Sequence, residues 1–212
     1  MKKVLFSIII LLFSSISSAQ TLKKPTETQR KAMIAAITKA TSQTKTLQCR
    51  FVQTKTMSFL NDKMTSEGVM YYDAKGKLRW EYTKPYTYTF IINNNKVYIK
   101  SGAKSNTIDI RSSRLFQTIA RIMMTSLTGK NLTSNEDFSV QLMMQGNDYV
   151  ALLTPKKKEL KKLYKQVKVV FDSQKKTVET IDMTEVNGDK TRIALSQVKI
   201  NGKIDEKNFT VR

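Results

Sequence analysis

Alternation of apolar and polar residues with a period of two constrains the fold of this chain more than any other feature. It runs through LQCRF (47–51) and KLRWEY (77–82) and returns along most of the sequence. Because successive side chains of a strand point to opposite faces of a sheet, these segments predict strands with one apolar face. The polar clusters between them are too short for crossover helices, so the sheet is predicted to be antiparallel. The predicted strands are 47–51, 68–73, 77–82, 86–92, 96–100, 107–110, 137–144, 148–153, 166–172, 177–183 and 191–200.

Two segments depart from this period and predict helices. Residues 27–41 and 112–129 carry apolar side chains at three- and four-residue intervals, which is typical of amphipathic helices. The second segment separates two runs of strands, as a lid would. The fold class is therefore mainly β (α+β), with about ten or eleven strands in one curved antiparallel sheet and helices closing its open side. The stripe of the first helix is predicted to contain Ala32, Ile34, Ala35, Ile37 and Ala40.

The N-terminus has the pattern of a secretory signal peptide. Lys2 and Lys3 precede an apolar run from Val4 to Phe13, and small residues follow as far as Ala19. A permanent membrane anchor is the alternative, but the run is shorter than the ~20 apolar residues needed to span a bilayer. We expect residues 1–19 to be cleaved and residues 20–212 to form a single exported domain.

Charge and missing residue types exclude several classes of function. With 37 basic and 17 acidic residues the formal net charge is +20, and removal of Lys2 and Lys3 lowers it to about +18, which favours anionic partners. No histidine is present, and the seven glycines do not form a phosphate-binding loop. We therefore expect no enzyme activity, no cofactor and no metal. Cys49, the single cysteine, is expected to be a small buried core residue.

The apolar face of the sheet has two interpretations, a filled core or a cavity that receives a ligand. Apolar stripes usually pack into a core. Ten methionines, with one pair at 123–124 and another at 143–144, favour a cavity because methionine adapts to varied apolar shapes. The residues assigned to this face are Leu47, Phe51, Leu78, Trp80, Tyr82, Tyr88, Phe90, Ile92, Phe138, Val140, Leu142 and Met144.

Several segments resemble the LolA family of periplasmic lipoprotein carriers. FVQTKT (51–56) is followed by Gly68 at the head of an aromatic-rich strand, then by LRWEYTKP (78–85) and by IINNNKVYIK (91–100). The end of the chain, LSQVKINGKIDEKNFTV (195–211), is similar to the end of that family. The resemblance extends over nearly all of the expected mature chain and is distributed over many positions.

The resemblance implies an open half-barrel with a helical lid over an apolar cavity. A carrier of this kind takes acylated lipoproteins from an inner-membrane ABC transporter and delivers them to an outer-membrane acceptor. It implies a monomer in the periplasm, with no nucleic-acid partner. The expected cavity residues are Phe51, Met70, Leu78, Trp80, Tyr88, Phe90, Ile92, Phe116, Ile119, Ile122, Met123, Leu142 and Met144.

In one place the chain departs from the family pattern. The family often has a basic residue followed by proline about six residues before the tryptophan, and this chain has Ala74-Lys75 there. The family's basic residue is associated with control of the lid. Lys75, Lys77 and Arg79 are the candidates to replace it as lid or partner contacts.

Other functions and the lysine-dense stretch 156–168 leave alternatives open. The chain could carry or sense another envelope amphiphile, such as a glycolipid or lipid precursor, or serve as a scaffold with a filled core. The lysines of 156–168 could keep the protein dispersed in solution, or could direct it to anionic headgroups or an acidic partner.

Overall fold

The computed structural model describes residues 21–60, 62–94, 96–109 and 136–210. The expected signal peptide and the predicted helix 112–129 lie outside these residues. No helix in the described ranges is long and apolar enough to cross a membrane.

Twelve strands and one long helix make up the described fold. The helices are α1 (Glu27–Gln43) and the one-turn α2 (Lys158–Lys161), and a 3₁₀ turn covers Glu206–Phe209. The strands are β1 (Leu22–Lys23), β2 (Thr46–Met57), β3 (Asp62–Asp73), β4 (Lys77–Lys84), β5 (Tyr88–Asn93), β6 (Lys96–Ser101), β7 (Lys104–Asp109), β8 (Phe138–Gln145), β9 (Asp148–Pro155), β10 (Tyr164–Asp172), β11 (Thr177–Glu185) and β12 (Lys190–Ile200).

All twelve strands belong to one sheet with the order β1-β8-β9-β10-β11-β12-β2-β3-β4-β5-β6-β7. Each neighbouring pair is antiparallel. The two runs of strands meet at the centre, where β12 pairs with β2, and the edge strands β1 and β7 do not pair with each other. The predicted open antiparallel sheet is confirmed.

The predicted strands all have a counterpart, and the differences lie at their ends. β3 begins at Asp62 rather than at residue 68, because MTSE continues the pairing with β2 although it carries little apolar signal. The two-residue β1 was not predicted, and it forms because it pairs with β8. The stretch KKKELKKLYK becomes α2 followed by the start of β10.

Helix α1 begins at a capping box and packs one stripe into the interior. The Thr26 hydroxyl accepts from the Gln29 N–H (3.2 Å), and the Gln29 side chain accepts from the Thr26 N–H (2.9 Å). Met33 and Ile37, one turn apart, are buried in the core. The predicted stripe was wrong in part, since Ala32 and Ala35 are exposed and Met33 carries the contact.

We call the apolar face of the sheet the inner face. Its buried side chains form one continuous core. Register places Cys49 opposite Met70, Met70 opposite Trp80, and Trp80 opposite Phe90. Cys49 is buried, as predicted, and burial raises its pKa to about 12. The core continues through the second half of the sheet to Leu142, Leu153, Val169, Ile181 and Leu195.

Candidate functional site

An aromatic cluster lies on the inner face of β2, β4 and β5. The rings of Phe51 and Trp80 stack with centroids 4.2 Å apart, and Tyr82 meets Phe51 edge-on at 5.2 Å. The Tyr88 ring lies 6.1 Å from Tyr82, toward the end of the sheet. These geometries are those that aromatic pairs prefer. The rings on β4 and β5 extend the apolar interior toward the end of the sheet.

Gly68 makes room for this cluster. It pairs with Phe51 on one side and with Tyr82 on the other. A Cβ atom at position 68 would lie 2.0 Å from the Glu81 carbonyl oxygen and 2.4 Å from Cζ of Phe51. Both distances are far below contact, so the Phe51 ring occupies the space that a side chain at position 68 would need.

A cavity of about 390 Å³ opens where the aromatic cluster reaches the end of the sheet. This volume falls within the range of about 300–1,000 Å³ that is usual for ligand pockets. Its wall is part aromatic and part polar, and the Tyr82 hydroxyl within it hydrogen-bonds the Gln53 side-chain oxygen at 2.9 Å. Its lining residues are Gln53, Lys55, Met64, Ser66, Tyr82, Tyr86 and Tyr88.

Among the described residues that line the cavity, Lys55 is the only charged one, and it is ion-paired. Lys55 Nζ lies 3.1 Å from Glu185 Oε1 and 3.6 Å from Asp189 Oδ2. The hydrogen bond to Glu185 is the main reason that the pKa of Lys55 is raised. The Ser58 backbone N–H, bonded to Asp189, is the main reason that the pKa of Asp189 is lowered. The cation therefore stays protonated and paired at the cavity wall.

The indole N–H of Trp80 is buried, since the residue is only 3% exposed. Among the described residues, Nε1 has no acceptor in hydrogen-bonding geometry. The Tyr82 ring lies 6.5 Å from that of Trp80, and burial is the main reason that the pKa of Tyr82 is raised. Buried tryptophan N–H groups usually have a partner, so this one marks an incompletely satisfied polar position in an apolar surrounding.

Comparison with known proteins identifies the family of this chain. The sequence model described as "Outer membrane lipoprotein carrier protein LolA" matches residues 42–212. The chain belongs to the LolA family. A relative from Chromohalobacter salexigens is called "Outer-membrane lipoprotein carrier protein" and is 26% identical over 146 residues. The matched residues cover 68% of this chain and 66% of the relative, which is a little under two thirds of the relative's length.

Further comparisons agree with membership of the LolA family. A protein of the same name from Pseudomonas aeruginosa strain PAO1 is 27% identical over 180 residues, covering 84% of this chain and 83% of that one. The crystal structure of an uncharacterized conserved protein from Thermus thermophilus superposes with a TM-score of 0.51 and 7% identity, covering 87% of this chain and 94% of that chain. That likeness concerns the fold alone.

The structure brings most of the predicted cavity residues together on the inner face of this LolA-family sheet. Phe51, Met70, Leu78, Trp80, Ile92 and Leu142 are buried there, and Tyr88, Phe90 and Met144 are half-buried. Phe116, Ile119, Ile122 and Met123 lie outside the described residues. Among the described residues that line the cavity, Tyr88 is the only one in the expected set, and Tyr82 was assigned to the same face without being placed in the cavity. The other lining residues were not predicted: Gln53, Lys55, Met64, Ser66 and Tyr86. The alternation of FVQTKT already places Gln53 and Lys55 on the same face as Phe51, and that signal could have found them.

The three candidate basic contacts do not lie on the inner face. Lys77 and Arg79 alternate with Leu78 and Trp80 and point to the opposite, outer face. Lys77 pairs with Glu206, and Arg79 pairs with Glu81 at 2.7 Å and donates to the Asn208 carbonyl at 3.2 Å. Both therefore hold the C-terminal turn, whose Phe209 is buried. Lys75 is exposed in the β3–β4 turn.

No group of three or more histidine, cysteine, aspartate or glutamate side chains in the described ranges could hold a metal ion. The arrangement offers apolar contact, one aromatic cluster and a few polar atoms. Such a surface can bury hydrocarbon.

Proposed function

We propose that this protein is a periplasmic, non-enzymatic carrier that binds the acyl chains of lipoproteins and moves them from the inner to the outer membrane. The observation that carries the proposal is the cavity beside Tyr82 and Tyr88, continuous with the aromatic cluster in a chain of the LolA family. The curated relatives, named outer-membrane lipoprotein carrier proteins, support it.

The energetics of an acyl chain suit such an interior. A chain of about a dozen methylenes, at ~0.8 kcal/mol each, holds its protein to a bilayer by roughly 10 kcal/mol. A soluble carrier needs comparable contact, which at ~25 cal/mol per Å² is about 400 Å² of apolar surface for each chain. The cavity is then the entrance, and the buried inner face behind it supplies the remaining contact when cargo enters.

Polar atoms at the entrance fit the polar end of an acyl chain. The side-chain amide of Gln53 lies in the cavity wall, and its oxygen accepts a hydrogen bond from the Tyr82 hydroxyl. An ester or amide carbonyl at the head of a chain would accept a hydrogen bond there from the amide N–H of Gln53.

The remaining parts of the proposal concern export and partners. Residues 1–19 are removed on export, and residues 20–212 act as one domain and as a monomer. An inner-membrane lipoprotein-releasing ABC transporter loads the carrier, because the chain has no nucleotide-binding motif of its own, and an outer-membrane acceptor receives the cargo.

Mass spectrometry of material that co-purifies with the full chain tests the cargo class. The protein is isolated from the periplasm without detergent and its bound molecules are extracted. Acylated peptides or lipoproteins are the expected result. Free glycolipids or lipid precursors in their place would favour a carrier of another amphiphile. An extract with no bound amphiphile, together with no uptake of an acylated peptide by the purified protein, would contradict a carrier function.

A further inference from the structure

Among the described residues, the three most exposed large apolar side chains share one end of the sheet. Phe59 is 95% exposed, Leu60 is 63% exposed and Tyr86 is 57% exposed. These residues lie in the β2–β3 and β4–β5 connections. The same end carries three less exposed apolar residues from β3, from the segment after α2, and from the β11–β12 turn. We call Phe59, Leu60, Met64, Tyr86, Leu163 and Val186 the tip surface.

Hydrogen bonds join neighbouring parts of the tip surface. The Val186 N–H donates to the Leu163 carbonyl at 3.2 Å, which ties the β11–β12 turn to the end of α2. The Ser58 hydroxyl donates to the Asn187 carbonyl at 3.0 Å, and the Ser58 N–H donates to Asp189 at 3.0 Å. The Tyr86 hydroxyl lies 3.8 Å from the sulfur of Met64. The exposed apolar groups are therefore presented from anchored turns.

The charge at this end is strongly positive around α2. Between β9 and β10, the sequence KKKELKKLYK places six lysines beside one glutamate. Lys157 pairs with Asp137, whereas Lys158, Lys161 and Lys162 are exposed. Leu160 is buried and fixes this turn against the sheet. The tip surface thus combines protruding apolar groups with a basic border.

The cavity opens at the same end. Met64 and Tyr86 belong both to the cavity wall and to the tip surface. Whatever covers the tip surface therefore lies against the cavity entrance. A hydrocarbon chain that leaves this covering surface can reach Tyr88 and Tyr82 with little exposure to water.

We propose that the tip surface docks on the face of a lipid bilayer that contains anionic lipids, with Phe59 and Leu60 inserted at the interface. Protein–protein interfaces are depleted of lysine, whereas apolar groups bordered by lysines are typical of segments that lie on anionic membranes. The purpose of the docking rests on the proposed carrier function, since it would bring the cavity entrance to the leaflet that holds the acyl chains. The docking itself is a separate property.

Flotation with lipid vesicles tests the docking. The full mature chain is mixed with vesicles of phosphatidylcholine alone or of phosphatidylcholine with phosphatidylglycerol. We expect binding to the mixed vesicles that weakens as salt is raised, and at least about tenfold weaker binding to phosphatidylcholine alone, because lysines are screened by salt and have no anionic partner there.

Matched variants locate the docking surface. The double substitution F59S/L60S should lower vesicle binding at least about tenfold. Val52→Ser is the control, because Val52 is 41% exposed on the outer face of β2, away from the tip surface. K161Q/K162Q should lower binding to the mixed vesicles and reduce its dependence on salt. All of these positions are exposed, and thermal unfolding followed by circular dichroism checks that each variant is folded.

The outcomes separate the docking from the carrier function. No binding of the unmodified chain to mixed vesicles, equal binding to both kinds of vesicle, or unchanged binding by F59S/L60S would each overturn the docking. Uptake of a soluble acylated peptide should be unaltered in F59S/L60S, because Phe59 and Leu60 do not line the cavity. Loss of peptide uptake with vesicle docking intact would overturn the carrier function alone.

Discussion

Gly68 is the residue at which a single added methyl group should disturb the aromatic cluster most. The added Cβ of Gly68→Ala would collide with the Glu81 carbonyl and the Phe51 ring. We expect a loss of about 1–3 kcal/mol in the free energy of unfolding, the usual cost of overpacking a core. Urea denaturation measures it. Gly202→Ala is the matched control, because nothing lies within 4 Å of its added Cβ, and it should stay within about 0.5 kcal/mol of the unmodified protein. Equal stability of the two variants would contradict the packing described.

Cys49 should make stability depend on alkaline pH. Its folded-state pKa of about 12 is above the ordinary value of 9.0, because burial penalises the thiolate. Because the pKa is raised on folding, the contribution of the protonated thiol to the free energy of unfolding is fully present below pH 9. That contribution is lost as pH rises toward 12. The loss should approach about 1.4 kcal/mol per pH unit. Tyr72, Tyr82 and Tyr164, whose pKa values are also raised by burial, act in the same direction.

Comparison with Cys49→Ala isolates the thiol contribution. Urea unfolding at pH 7 and at pH 10 gives the fall in stability for each protein, and the fall should be smaller in the variant. The native thiol should also react with a thiol reagent only as fast as the protein unfolds. Rapid reaction in the native state would show that Cys49 is accessible.

Tyr88 is the site residue whose substitution tests the cavity with the least damage to the core. It is half-buried at the entrance, whereas Trp80 is fully buried, so a charge at position 80 would also destabilise the fold. Tyr88→Glu should weaken binding of an acylated peptide at least about tenfold, or ~1.4 kcal/mol. Tyr98→Glu is the control, since Tyr98 is a half-buried tyrosine on the outer face, opposite Ile91. Equal affinities of the two variants for the acylated peptide would contradict binding at the cavity.

At the scale of elements, the β2–β3 hairpin depends on a distant turn for its position. Asp189 in the β11–β12 turn accepts the Ser58 N–H and the Ser58 hydroxyl, and its pKa is lowered chiefly by the former. A pKa lowered on folding gives a stabilisation that is present above the unfolded-state pKa. It is lost as pH falls through the folded-state value. The hairpin should therefore loosen in acid before the core does.

Hydrogen exchange measures this anchoring. In Asp189→Ala the amides of the β2–β3 hairpin should exchange faster at neutral pH, while those of β10 remain protected. Asp182→Ala, which removes an exposed ion pair to Arg192, is the control and should leave the hairpin unchanged. An unaltered hairpin in Asp189→Ala would show that the contact does not hold it.

At the scale of the whole molecule, the order of strands decides what the protein can enclose. The chain starts near one edge, crosses to the centre at β2, proceeds to the far edge at β7, and returns from the first edge at β8. This arrangement makes one apolar face that extends from β8 through the centre of the sheet to β6. It also gathers the β9–β10, β11–β12, β2–β3 and β4–β5 connections at one end, where the cavity opens.

Depletion of the protein in the cell tests the function of the whole molecule. Lipoproteins that normally reach the outer membrane should accumulate at the inner membrane, because no soluble carrier shields their acyl chains from water. Membrane fractionation followed by lipoprotein detection measures the distribution. Complementation with the Tyr98→Glu form should restore it and the Tyr88→Glu form should not. A normal distribution after depletion would contradict the transport role.

The local pattern of the sequence predicted more of the inner face than of the cavity entrance. Leu78, Trp80 and Tyr82 are assigned to one face by alternation alone, and the structure places them there. Met33 was missed, because adjacent alanines gave a helical stripe shifted by one position. Tyr86 was missed as a lining residue, although the predicted strand 86–92 places it in phase with Tyr88. It lies before β5 begins, and its contact with Met64 joins two residues that are not neighbours in sequence.

The sequence by itself determined that the chain forms antiparallel strands with one apolar face, because alternation and turn length act between near neighbours. Only the tertiary structure decided that β12 lies beside β2, that Ser58 meets Asp189 and that Arg79 holds the C-terminal turn. These residues are more than a hundred positions apart. Their pairing is selected by the packing of the whole sheet, and no local pattern encodes it.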